Sequence, residues 1–258
     1  NAIVKASGDK LYAAIGVSGS AALIALVALP FAPQPSLASV PYLALSSALQ
    51  VVYTVLVAKT YQVSDMSQTY PLMRGTAPLL VAVISVAFLG DTLSPLAWTG
   101  IGVICLAILA MACNGRTRSG YGITLALINA CFIAGYTLVD GTGVRLSDTA
   151  LGYTLWSFLM NGCCLLSWSM VARRQQASRY LRQHWKKGAI GGLSTMGSYG
   201  LALWAMTQAP LAVVAALRET SILFGAVIAF VLLKEKLIAL RIVAACGIAA
   251  GAILLRLS

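Results

Sequence analysis

Nine long apolar stretches fill almost the whole of this chain, and a helix needs about 20 such residues to cross a hydrocarbon layer. They run near 11–31, 40–58, 67–89, 94–113, 121–139, 149–172, 188–207, 211–233 and 237–255. In lipid each backbone N–H and C=O must be satisfied within the segment, which leaves helices as the only form for such runs. The residues are 59% hydrophobic and 10% charged, where a soluble domain carries roughly a quarter charged. The expected fold class is an all-α polytopic membrane protein.

Two arginines stand deep inside two of these spans at matching positions. Arg74 lies in Tyr70-Pro-Leu-Met-Arg-Gly-Thr-Ala-Pro78, and Arg218 in Val214-Ala-Ala-Leu-Arg-Glu-Thr-Ser-Ile222. A constant offset of 144 residues lays Arg74 on Arg218, Thr76 on Thr220, Leu79 on Leu223, Leu89 on Leu233, Asp91 on Glu235 and Leu93 on Leu237. The pattern divides the chain into repeats at 1–115 and 116–258. Asn1-Ala-Ile-Val-Lys5 reads as the exit of a helix that begins upstream. Counting that helix as the first, the nine spans become the second to tenth of a ten-helix bundle.

The net charge of +11 is not spread as a nucleic-acid surface would be. The segments after the odd-numbered helices hold thirteen Lys and Arg, including Arg173, Arg174, Arg179, Arg182, Lys186 and Lys187, while the opposite loops and the C-terminus hold only Arg145 and Arg256. The positive-inside rule puts the odd-numbered exits in the cytoplasm. Equivalent loops of the two halves prefer opposite sides, as two five-helix repeats inserted in opposite directions require, because five is odd. Nucleic acid is therefore not an expected partner. The lipid bilayer and a small molecule are, in a multi-pass membrane protein.

Cys105, Cys113, Cys131, Cys163, Cys164 and Cys246 all fall in or at the ends of apolar runs, and none forms a CxxC pair. Neither a disulfide framework nor a metal site is indicated, and no cofactor is expected. No GxxxxGK[ST] loop occurs, so direct nucleotide drive is not supported.

Leu89-Gly-Asp-Thr-Leu-Ser-Pro-Leu-Ala-Trp-Thr-Gly-Ile-Gly102 and Leu233-Lys-Glu-Lys-Leu237 resemble the Leu-Gly-Glu-Leu-Ser turn of EamA-type transporters of the drug/metabolite transporter superfamily. Ser64-Asp-Met-Ser-Gln-Thr-Tyr-Pro-Leu-Met-Arg-Gly-Thr-Ala-Pro78 and Leu217-Arg-Glu-Thr-Ser221 resemble a bacterial branch, some of whose members are described as phosphonate-utilisation-associated membrane proteins. Asn1-Ala-Ile-Val-Lys5 matches the tail of the His-x-x-Trp-Asn-Ala-x-Val-Lys pattern that closes the first helix there. The resemblance implies two inverted five-helix repeats and transport. Asp91 stands where the family turn usually has Glu.

A charge at membrane depth costs several kcal/mol unless it meets a partner or a polar cavity. Arg74 sits ~10–12 Å along its span, too deep to snorkel. Paired guanidiniums suit a carboxylate, phosphate or phosphonate, so Arg74 and Arg218 are expected to bind substrate. The bland alternative is that each bonds carbonyls or pairs with Glu219. Glu219 itself is either a proton-carrying coupling site or the counter-ion of Arg74. Pro71 and Pro78 bracket Arg74 and predict a kinked or partly unwound helix. Tyr70, Thr76, Thr220, Tyr136, Tyr199, Trp204 and Asn129, with Tyr53, Trp156 and Asn161, are candidates to line the same cavity; interfacial anchoring or helix-to-helix bonding is the plain reading of each. Gly188-x-x-x-Gly192 and Gly247-x-x-x-Gly251 permit close helix approach, within one chain or in a homodimer.

The functional expectation is a secondary transporter of a small anionic or zwitterionic metabolite, such as an organophosphonate, amino acid or carboxylate. An enzyme acting on lipid or isoprenoid headgroups needs a convergent acid/base or metal set, and the chain offers one His184, in a loop, and one carboxylate placed deep in a span. A structural or sensory subunit is the third class; there, buried arginines would serve folding alone.

Overall fold

The computed structural model describes residues 10–112, 120–224 and 239–258. Its helices are α1 (Lys10–Ala28), α2 (Val40–Val63), α3 (Met66–Phe88), α4 (Pro95–Ala112), α5 (Gly120–Arg145), α6 (Ala150–Met206), α7 (Leu211–Leu217) and α8 (Ala239–Arg256). Short 3-10 turns occupy Leu29–Phe31, Leu37–Ser39 and Arg218–Thr220. Six helical stretches are long and apolar enough to span a bilayer: Tyr12–Phe31, Leu37–Val63, Gln68–Phe88, Pro95–Ala112, Gly120–Arg145 and Ala150–Ser169. The protein is an all-α polytopic membrane protein, with Leu23, Val27, Phe88, Leu106 and Leu151 more than half exposed on its surface.

The chain forms two compact units, residues 1–54 with 139–208 and residues 55–138 with 209–258. Each draws on both halves of the sequence.

In the first unit α1 packs on α6 through small residues. A Cβ added at Gly162 would lie 2.4 Å from Ala22 Cβ, and one at Gly192 would lie 2.8 Å from the Ala21 backbone nitrogen. Gly188 meets the Gly16 carbonyl and Ser20 in the same way. Residues 162 and 188 of a straight helix would be about 39 Å apart, yet both touch the 16–22 stretch of α1. The axis of α6 therefore turns back between them, giving two limbs that also face each other where Gly200 meets Thr154. The sequence predicts a polar connection over 173–187, and the structure assigns helix throughout. No Gly or Pro occurs in 172–187, so the reversal carries no helix-breaking residue as its marker.

At one end of this unit Arg145 Nε donates to the Met206 carbonyl at 2.8 Å, and the Ser36 amide donates to the Ser147 carbonyl at 3.2 Å. The ends of α5 and α6 and the segment before α2 thus share one face of the unit, as alternating membrane crossings require.

The second unit is built on α3, α4, α7 and α8. Ile101, Ile104, Ile108, Val81 and Ile248 form its buried interior. A Cβ at Gly251 would lie 2.5 Å from Ile104 Cγ1 and 2.8 Å from the Gly100 carbonyl, and one at Gly247 would lie 2.8 Å from Ala107 Cβ. Both GxxxG pairs are thus used inside the chain.

The family-like turn ends α3. Gly90 has φ 73°, and the Asp91 amide donates to the Ser85 carbonyl at 3.2 Å, a left-handed helix stop that glycine adopts without strain. The Asp91 side chain then accepts the Leu211 amide at 3.0 Å, satisfying an orphan donor at the start of α7. The loop 89–94 and the entry to α7 accordingly share one end.

Three further expectations change. The span expected to stop at 139 continues as α5 to Arg145, because Gly141-Thr-Gly143 is carried inside the helix and the stop comes at Asp148, with φ 58°. α3 runs as one α-helix across Pro71 and Pro78. The discontinuity falls instead in the span expected over 211–233, where the α-helix gives way to a 3-10 turn at Arg218–Thr220. The Lys234-Glu235-Lys236 loop and Cys113 lie outside the described residues.

Candidate functional site

Arg74 lies about 12 Å along α3 from Met66, and Glu219 lies in the 3-10 turn that follows α7. Arg74 Nε donates to Glu219 Oε2 at 2.8 Å, with the two side chains 15% and 6% exposed. The 3-10 turn sets consecutive residues about 120° apart, so Arg218 and Glu219 leave the backbone in different directions. Glu219 feels the positive charge of Arg218 as well as that of Arg74.

The surroundings fix this pair. Gly75, next to Arg74, has no room for a Cβ, which would lie 2.9 Å from Leu109 Cγ and 3.2 Å from the Cys105 carbonyl. That close approach of α4 brings the buried Cys105 within the electrostatic reach of Glu219. Pro78 has no N–H, so the Arg74 carbonyl has no donor four residues on. Tyr70, one turn before Arg74, and Tyr61 on α2 interact electrostatically, and Tyr61 also feels Arg74. Tyr61 escapes sequence reading because it lies near the end of its span, where tyrosine is an ordinary interfacial residue.

The other expected residues distribute as follows. Thr76 is half-buried on α3, two residues beyond Arg74 and on a different face. The Thr220 hydroxyl is spent on the Leu217 carbonyl at 2.7 Å. Tyr136 is buried on α5, and Asn129 is fully buried there with neither amide atom partnered among the described residues. Tyr199 belongs to the first unit, where its ring meets Phe158 edge to face at 6.1 Å. Trp204 is on the exterior of that unit, 58% exposed. Trp156 Nε1 donates to Gln34 Oε1 at 2.8 Å.

A second acidic residue is buried in the membrane part. Asp140 on α5 has no exposed surface and accepts from Tyr153 Oη at 3.0 Å, from Gln50 Nε2 at 3.2 Å and from Tyr199 Oη at 2.5 Å. Asn161 Nδ2 donates to Gln50 Oε1 at 2.7 Å, extending the network. Glu219 is thus not alone at depth. The signal in the sequence is the apolar pattern that resumes at Val144 after Asp140-Gly-Thr-Gly, which a strict span boundary at 139 hides.

Among the described residues no group of three or more His, Cys, Asp or Glu is gathered, and Cys105, Cys131, Cys163, Cys164 and Cys246 are free thiols.

No curated protein matches the sequence. Among solved structures 23 chains match. One of them, described only as a crystal structure of a protein, aligns with a TM-score of 0.72 at 13% identity, covering 99% of this chain and 90% of that one; the likeness is one of fold. The model of the EamA-like transporter family matches residues 120–257, more than half of the chain. This chain belongs to the EamA-like transporter family.

Proposed function

We propose that the chain is a secondary active transporter of a bacterial inner (plasma) membrane, moving a small anionic or zwitterionic metabolite by alternating access. The candidate solute classes are organophosphonates, carboxylates and amino acids. The observation that carries this reading is the buried Arg74–Glu219 pair in a membrane span of a transporter-family protein. Two guanidiniums offer planar donor sets that match an oxyanion. With no solute present, Glu219 compensates Arg74. The arriving anion exchanges with Glu219 for the Arg74 donors, and the displaced Glu219 carboxylate is compensated by Arg218, whose charge it already feels. Tyr70 and Tyr61 add hydroxyl donors near Arg74, and Asn129 is a further solute contact, its unpartnered amide needing a polar neighbour.

The proposal includes two oppositely inserted five-helix repeats, 1–115 and 116–258, with the basic loops cytoplasmic. The offset of 144 residues supports this division, as does the family match beginning at residue 120.

Thermal-shift measurements on the purified protein with phosphonates, carboxylates, amino acids and quaternary amines test the reading. A solute with an anionic group is expected to stabilise the wild type and not Arg74→Gln. Stabilisation by quaternary amines alone, equal stabilisation of both proteins, or no response to any class overturns it.

A further inference from the structure

Asp140 is a fully enclosed carboxylate among the described residues of the first unit, and its neighbours come from three helical segments. Gln50 lies on α2, Tyr153 on the first limb of α6 and Tyr199 on the second limb. Gln50 also donates to Ser46 Oγ at 2.9 Å and holds Asn161 through its carbonyl oxygen.

The space around it limits what it can bind. Asp140 and Tyr153 have no exposed surface. A Cβ at Gly143, one turn along α5, would lie 2.4 Å from Tyr153 Oη and 2.6 Å from Tyr42 Cβ, so the hydroxyl is pressed against the backbone. A metal cation or an ammonium group would need several ligand oxygens drawn back from positions they already fill. A proton needs none of that space.

We infer that Asp140 is a proton-binding site, and that its protonation state couples a pH gradient to the transport cycle. The inference rests on the transport reading above but uses residues apart from the Arg74–Glu219 pair. When ionised, Asp140 accepts from both tyrosine hydroxyls and from Gln50, tying α2 and both limbs of α6 to α5. When a proton binds one carboxylate oxygen, that oxygen becomes a donor. A phenol can turn to accept the proton, whereas the Gln50 amide nitrogen cannot. Tyr199, half-buried where Tyr153 is fully buried, is the hydroxyl placed to reverse and pass the proton on. Protonation removes the negative charge that three donors converge on and loosens the tie between the helices. The proton enters from the acidic side and leaves to the other, with no other reactant.

Charged and titratable groups flank the carboxylate from α2, α5 and α6. Tyr153 and Tyr199 come from α6 and Tyr42 from α2, and Arg145 is on α5, its Nε directed to the Met206 carbonyl.

Two measurements on the full chain in liposomes test the inference. Infrared difference spectra recorded between about pH 4 and pH 9 are expected to show a protonated-carboxyl band that appears on acidification, is absent in Asp140→Asn and is displaced in pH midpoint by Tyr199→Phe. For a solute found in the thermal-shift screen, Asp140→Asn is expected to abolish accumulation driven by a pH gradient, at least tenfold down, while exchange of labelled for unlabelled solute continues. A band that does not titrate, a band that persists in Asp140→Asn, or full gradient-driven accumulation by that variant overturns the inference. Should Asp140→Asn fail to fold, the midpoint displacement in Tyr199→Phe decides the matter, and an unchanged midpoint overturns it. If the wild type moves no solute, the transport reading fails, and the infrared titration still decides whether Asp140 binds a proton.

Discussion

Arg74 and Glu219 are 145 residues apart in sequence and 2.8 Å apart in the fold. Breaking a buried pair from one side leaves an uncompensated charge, which costs about 3–5 kcal/mol, while removing both charges costs much less. Glu219→Gln and Arg74→Gln are each expected to lower stability by that order, and the double variant to recover part of the loss. Chemical unfolding in detergent measures this. Losses that simply add would show that the two groups act independently.

Gly251 and Gly102 lie on two helices of the second unit and differ in what a methyl group would meet. At Gly251 it would strike Ile104 and the Gly100 carbonyl, and at Gly102 it would meet nothing within 4 Å. Gly251→Ala should therefore destabilise by about 1–3 kcal/mol through overpacking. Gly102→Ala should stabilise by up to about 1 kcal/mol through helix propensity. Melting temperatures of the two variants should move in opposite directions.

Asp91 caps the start of α7 through the Leu211 amide. Asp91→Ala is expected to cost about 0.5–2 kcal/mol, the usual value of such a cap, and Asp91→Asn to retain most of it. Equal stability of wild type and Asp91→Ala would show that water supplies the bond instead.

The reversal of α6 has a direct chemical check. Thr154 and Gly200 face each other across the two limbs, whereas a straight helix would place them about 69 Å apart. In a background freed of native cysteines, Thr154→Cys with Gly200→Cys should form an internal disulfide. Trypsin cleavage within 173–187 would then leave fragments that separate on a gel only after reduction. Separation without reduction would rule out the fold-back.

Much of the architecture is legible because lipid acts locally. A run such as Pro95–Ala112 carries its own instruction, since no backbone form other than a helix survives there. Stops are less legible. Gly141-Thr-Gly143 looks like an exit, yet both glycines lie inside α5, and at Gly143 the approach of Tyr153 and Tyr42 leaves no room for a Cβ. Pro71 and Pro78 look like a break, yet α3 passes through both, and the break comes at Arg218–Thr220, which contains neither Pro nor Gly. Helix interruption at depth is decided by what the neighbouring helices can satisfy.

The candidate site divides in the same way. Arg74 and Arg218 announce themselves because a permanent charge in an apolar run has no cheap explanation. Tyr61 does not, because tyrosine is at home at membrane interfaces, and Asp140 does not, because it follows an apparent span end. Tyr199 and Trp204 looked alike as polar aromatics in one span; one reaches Asp140 and the other is on the exterior.

Taken alone, the order of residues determined the membrane class and the two arginines set within apolar runs, because burial in hydrocarbon penalises every exposed polar group wherever it occurs. Only tertiary structure decided that Glu219 holds Arg74 and that two tyrosines and a glutamine converge on Asp140. Such partners are set by how helices pack side by side, and that packing joins residues from 13 to 145 positions apart that no local periodicity relates.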